Sequence, residues 1–101
     1  MVHQHSIEKA LSTSGSTSIH VKAVIKTVGY KGADAAYVEY WNGTDWINLW
    51  NGDTSDLWQV EDLVCSSDAD NNPDFKVRFR SKGNKPEDLY YVDNVEVTGT
   101  Q

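Results

Sequence analysis

Tyr37-Val38-Glu39-Tyr40-Trp41-Asn42-Gly43-Thr44-Asp45-Trp46-Ile47-Asn48-Leu49-Trp50 is the stretch that decides the fold. On either side of Asn42–Asp45 the side chains alternate with the period of two that places successive residues on opposite faces of a strand. Asn-Gly-Thr-Asp carries the chemistry of a tight connection, so the stretch reads as a β-hairpin. Around a four-residue turn the residue numbers of antiparallel partners have a constant sum. Trp41 then faces Trp46, Glu39 faces Asn48 and Tyr37 faces Trp50, all six on one side. Tyr40 with Ile47 and Val38 with Leu49 form the opposite, core side.

The same period recurs outward from the hairpin. In Ser18–Thr27, Ile19, Val21, Ala23 and Ile25 alternate with His20, Lys22 and Lys26, and only Val24 breaks the pattern. Phe75–Arg80 sets Phe75, Val77 and Phe79 against Lys76, Arg78 and Arg80. The hairpin's first strand begins at Ala35 and its second ends at Trp50. Trp58–Cys65 and Leu89–Thr98 are further strands, and Ile7–Leu11 is an edge strand. Trp58 shares the phase of Val60 and Val64, which points it toward the core. The intervening segments 29–34, 51–56, 66–74 and 81–88 are built from Gly, Pro, Asn, Asp, Ser and Lys, as connecting loops are. Ser12–Ser18 is a short polar loop. No long helix fits anywhere. Six or seven short strands with one apolar face each predict an all-β, two-sheet antiparallel β-sandwich.

The chain has 101 residues, which suits one domain, 1–101, with its core over about 18–99. No apolar run reaches the roughly 20 residues of a membrane-spanning helix, so no membrane insertion is expected. Fifteen acids against 9 bases argue against a nucleic-acid partner, whose phosphates would need neutralising. The single cysteine, Cys65, forms no internal disulfide and reads as an inert strand residue. Four Trp, 5 Tyr and 2 Phe are a heavy aromatic load for so polar a chain, and the hairpin locates much of it.

Tyr37-Val38-Glu39-Tyr40 with Trp46, then Ala69–Arg80, then Tyr91-Val92-Asp93-Asn94-Val95-Glu96-Val97 together resemble a broad group of extracellular, lectin-like jelly-roll modules. Such modules are appended to secreted bacterial and archaeal hydrolases, proteases and surface proteins, and many relatives are carbohydrate-binding modules. The resemblance implies a jelly roll, an extracellular or cell-surface location, and an accessory domain excised from a larger secreted protein. It also implies a parent enzyme or surface protein as partner in cis. A structural calcium ion is a further implication, since resembling jelly rolls often hold one.

Three groups are candidate sites. Tyr37, Glu39, Trp41, Trp46, Asn48 and Trp50 form an aromatic platform with polar neighbours, the complement of a sugar ring with its apolar CH face and hydroxyl edge. The alternative for each tryptophan is core packing. Lys76, Arg78 and Arg80, with Lys22 or His20 from another strand, form a basic stripe suited to the carboxylates or sulfates of an acidic polysaccharide; the alternative is a solvated face paired with the acids. Asp93, on the apparent face of Val95 and Val97, is an inward carboxylate that needs a loop hydrogen bond or a metal. Asp68–Asp74 fails as an EF-hand, with Pro73 where Gly is required and Phe79 where a bidentate Glu is. No nucleophile elbow or phosphate loop accompanies His3, His5 or His20. The expected function is therefore noncatalytic binding of polysaccharide, with a protein-interaction or structural module as the alternative.

Overall fold

The alternation in the second strand builds the inner wall of the molecule. Over Thr17–Val28, Ile19, Val21, Ala23, Ile25 and Thr27 are buried, and the residues between them are half-exposed. The computed structural model describes residues 6–29, 36–52, 56–82 and 89–101. The expected connections at 30–34, 53–55 and 83–88, the expected strand start Ala35, and His3 and His5 lie outside the described residues.

Among the described residues seven strands form: β1 (Ser6–Ala10), β2 (Thr17–Val28), β3 (Ala36–Trp41), β4 (Trp46–Gly52), β5 (Gln59–Val64), β6 (Lys76–Ser81) and β7 (Leu89–Thr100). One turn of 3-10 helix, Ser67–Ala69, precedes β6. A four-stranded antiparallel sheet, β1-β6-β3-β4, faces a three-stranded one, β5-β2-β7. The fold is the expected two-sheet antiparallel β-sandwich. Only β3 and β4 are consecutive neighbours in one sheet, and every other connection crosses between sheets.

The hairpin turn forms as its residues dictate. Asn42 Oδ1 accepts the backbone N–H groups of Thr44 and Asp45 at 2.8 Å each, and Gly43 takes φ +104°, a conformation that side chains resist. The core between the sheets includes Ile19, Val21, Ala23 and Ile25 of β2 with Val38, Tyr40, Phe75, Val77, Phe79 and Tyr90. Tyr40 and Phe75 stack with centroids 5.8 Å apart and planes at 25°. Each of the large apolar side chains in this core contributes about 1.5–3 kcal/mol by leaving water.

Besides a register shift between Thr17 and His20, two bulges re-phase β4 and β7. Between β3 and β4 the register slips: Glu39 faces Asn48, but Val38 faces Trp50, leaving Leu49 as the extra residue. Between β2 and β7, Lys22 faces Glu96 while Val24 faces Asp93, so Asn94 and Val95 both stand opposite Ala23, with Asn94 at φ +51°. Asn tolerates that left-handed conformation better than most residues. The 66–74 loop is tied to the Ser12–Ser18 segment. Thr13 Oγ1 donates to Ala69 O at 2.6 Å, Asp70 Oδ1 accepts Ser18 N–H at 3.1 Å, and Asn71 Oδ1 accepts Gly15 N–H at 2.9 Å.

Two buried groups favour their protonated forms in the folded chain. Burial raises the Tyr40 hydroxyl to about 12, helped by its donation to Asp68 Oδ1 at 2.5 Å. Burial also raises the Cys65 thiol to about 12, with Asp68 and Asp70 adding repulsion to its thiolate. Both protonated forms are favoured by folding, so their stabilisation is complete below the unfolded values, roughly 8.5 for Cys and 10 for Tyr, and is lost as pH rises toward 12. The urea midpoint should be flat from pH 6 to 8 and fall above about pH 9. In Cys65→Ala the onset should move to about pH 10. An unchanged onset would detach Cys65 from this loss of stability.

Candidate binding face

The polar side of the four-stranded sheet is assembled from residues that alternate away from the core. Antiparallel register lays them out in three rows. Ser6, Arg80, Tyr37 and Asn51 form the first; Glu8, Arg78, Glu39 and Asn48 the second; Ala10, Lys76, Trp41 and Trp46 the third. The two groups that the sequence separates, hairpin aromatics and basic stripe, thus occupy one face, because β6 pairs directly with β3.

Glu39 is the centre of this face. Its Oε1 accepts Arg78 Nε and Arg80 Nε at 2.9 Å each, and its Oε2 accepts Arg80 Nη2 at 3.2 Å. The residue is only 7% exposed. Burial alone would raise its pKa, but the hydrogen bonds from Arg80 and Arg78, with their charges, outweigh it and hold the carboxyl below its usual range. The same hydrogen bond from Arg80 raises the guanidinium's own pKa.

The guanidinium groups also cover the aromatic rings. Arg78 Cζ lies 3.9 Å from the Trp46 ring centroid, Arg80 Cζ 4.3 Å from that of Tyr37, and Lys76 Nζ 5.8 Å from that of Trp41. Trp41 and Trp46 are 5.5 Å apart at 57°, a tilted pair that makes a corner instead of a flat strip. Asn48 Nδ2 donates to Asn51 Oδ1 at 3.3 Å on the same side. At the end of the hairpin, Asp68 accepts from Tyr40 Oη and from Asn42 Nδ2 at 2.9 Å, and these two bonds hold its carboxyl below the usual range.

Several expectations are corrected. Trp50 does not face Tyr37: the bulge at Leu49 turns it inward opposite Val38, where it packs against the core and beside Gly52. Glu39 is not a free hydroxyl-binding group, since both its oxygens are held by arginines. Lys22 and His20 are not neighbours of the basic stripe. They lie in the other sheet, where His20 Nδ1 is 2.8 Å from Asp62 Oδ1. Trp58 is not buried with Val60 and Val64; their exposures are 52%, 83% and 64%. These residues lie on the outer side of β5, where Trp58 meets Tyr91 with centroids 6.2 Å apart. Asp93 is exposed and outward, opposite Val24, because the Asn94 bulge separates its phase from that of Val97.

Asp93 has no inward carboxylate to offer a calcium ion. Among the described residues no group of three or more His, Cys, Asp or Glu side chains converges as metal ligands do. No helix of the described residues is long and apolar enough to cross a membrane. The signal that sequence reading missed here is Asn51, which looks like a loop residue yet joins the outer face once Leu49 is inserted. Comparison of the chain with protein-family models, with curated proteins and with solved structures finds no match.

Proposed function

We propose that the chain is a noncatalytic carbohydrate-binding module that holds a larger secreted or cell-surface protein near a polysaccharide. The observation supporting this reading is the gathering of Tyr37, Trp41, Trp46, Lys76, Arg78, Arg80, Asn48 and Asn51 on one side of one sheet. The ring surface that the stacked guanidinium groups leave exposed supplies apolar contact for the CH face of a sugar, and amides supply hydrogen bonds to its hydroxyls. Three cations against Glu8 and Glu39, in a chain of net charge −6, favour an acidic polysaccharide, whose carboxylate or sulfate groups meet guanidinium donors bidentately. Glu39 is an unsuitable general acid, because its arginines keep it ionised.

The face is open, so a single contact is weak and tandem copies raise avidity. Retention in gels containing uronate-rich, sulfated or neutral polysaccharide tests the proposal. Trp46→Ala should weaken retention by the acidic polymers about tenfold, of the order of one lost aromatic contact, whereas Trp58→Ala should leave it unchanged. Equal retention of wild type and Trp46→Ala would remove the face from the reading.

Exposed Leu57, Trp58, Val60 and Val64 favour a second reading, a protein-interaction module that docks through the outer side of β5. On that reading no polysaccharide produces saturable retention.

A further inference from the structure

The two sheets do not match in width. β4 lies against β5 at one side of the sandwich. With four strands over three, β1 at the other side overhangs and has no strand opposite it among the described residues. The overhang leaves an open apolar cleft of about 210 Å³ between the sheets. One wall is Ile7 and Lys9, the alternate residues that β1 directs inward, with Leu11 just beyond its end; the other is Val92, Val95 and Val97 of β7. Val77 and Phe79 of β6 close its floor.

We propose that this cleft is a strand-acceptor site, filled by an extended segment of another polypeptide that hydrogen-bonds along the free edge of β7. Three features select this occupant. The wall of Ile7, Lys9 and Leu11 repeats with a period of two, as do Val95 and Val97 beyond the β7 bulge, which matches the side chains that a strand projects on one face. Both bordering strands are sheet edges among the described residues, with β2 the neighbour of β7 and β6 the neighbour of β1. An edge strand offers a row of backbone donors and acceptors that an added strand satisfies, while its alternate side chains fill the pocket. A strand added beside β7 would make the sandwich four on four and cover Ile7, Leu11 and Val95, which are 49%, 39% and 48% exposed.

Charge narrows the partner further. Lys9 is the one charged side chain on the walls and makes no ion pair among the described residues. The incoming strand therefore carries apolar residues at alternate positions and an acidic residue at the position facing Lys9. The site lies between the sheets, away from the outer face proposed for carbohydrate, and the two assignments stand or fall separately.

The test titrates the isotope-labelled protein with a peptide of about nine residues, roughly 30 Å when extended, alternating valine with threonine and bearing one glutamate on its valine face. The expected result is saturable one-to-one binding, shifts in the methyl signals of Val92, Val95 and Val97, and slowed exchange of the β7 amides that point away from β2. The Trp46 indole signal should not move. Replacing the peptide's glutamate by lysine should weaken binding about fivefold, in the range of one exposed ion pair and its reversal, and Lys9→Glu should invert that preference. Val95→Thr, on an exposed position, should also weaken the peptide without loss of the fold.

Unchanged β7 exchange at saturating peptide would overturn the proposal. So would methyl shifts produced by decanoate but not by peptide, which would assign the cleft to a small amphiphile. Concentration-dependent dimerisation giving the same protection without peptide would assign it to a second copy and likewise overturn it.

Discussion

Glu39→Gln should lower the unfolding free energy by about 2 kcal/mol at pH 7, with a fall in Tm of roughly 10 °C. The carboxylate is buried between two guanidinium groups, and its removal leaves both arginines without their counter-charge. Breaking a fully buried pair costs about 3–5 kcal/mol. Here the Arg78 and Arg80 side chains retain 19% and 35% exposure, so solvent screens part of the loss. The pH dependence has a definite sign. Because the folded-state pKa of Glu39 is depressed, its stabilisation is present above the unfolded value of about 4.3 and is lost as pH falls through the lower folded value. Urea midpoints of wild type and Glu39→Gln should therefore differ at pH 7 and converge as pH falls through the lowered folded value. Equal midpoints at pH 7 would show that the cluster contributes nothing to the fold.

Phe75→Ala has the larger effect. Phe75 is fully buried, stacked on Tyr40, and immediately precedes β6, the strand that brings the basic stripe to the hairpin. Deleting its ring should cost about 3–5 kcal/mol through lost transfer energy and the cavity left behind, a large part of the roughly 5–15 kcal/mol that holds a typical domain together. The expected result is a chain largely unfolded at 37 °C by near-ultraviolet circular dichroism. Phe75→Leu, which refills part of the space, should retain the fold with a loss of about 1–2 kcal/mol. Wild-type urea midpoints in both variants would contradict the core described here.

What the sequence discloses and what it conceals follow from the same period of two. In β2 and β6 the alternation is strict over most of the strand, each face has one chemistry, and the residues directed inward are those that composition indicates. Trp50 and Asp93 are misplaced because a bulge inserts one residue and reverses the phase beyond it. Leu49 and Trp50 are both apolar, so no break in the pattern marks the insertion. Asn94 at positive φ is the physical device in β7, yet an asparagine in a strand reads equally well as an outward polar residue. β5 misleads differently: it is an edge strand whose outer side is apolar, so Val60 and Val64 point to a core that is not on that side.

The candidate face was half legible. Hairpin register follows from local spacing, which correctly pairs Trp41 with Trp46 and Glu39 with Asn48. The pairing of β3 with β6, almost 40 residues further along the chain, is a matter of global topology, and only it shows that Arg78 and Arg80 reach Glu39 and the rings of Trp46 and Tyr37. A platform of bare rings and a separate basic stripe become, in three dimensions, one face of clamped arginines stacked on aromatics.

A nuclear magnetic resonance titration with a short uronate oligosaccharide tests the carbohydrate reading most directly, by following the indole N–H of each tryptophan and the Nε–H of Arg78 and Arg80. The account predicts saturable shifts at Trp41, Trp46 and the two arginines, with Trp50 and Trp58 unmoved. Saturable shifts confined to Trp58, or none at any of these groups at millimolar oligosaccharide, would contradict it.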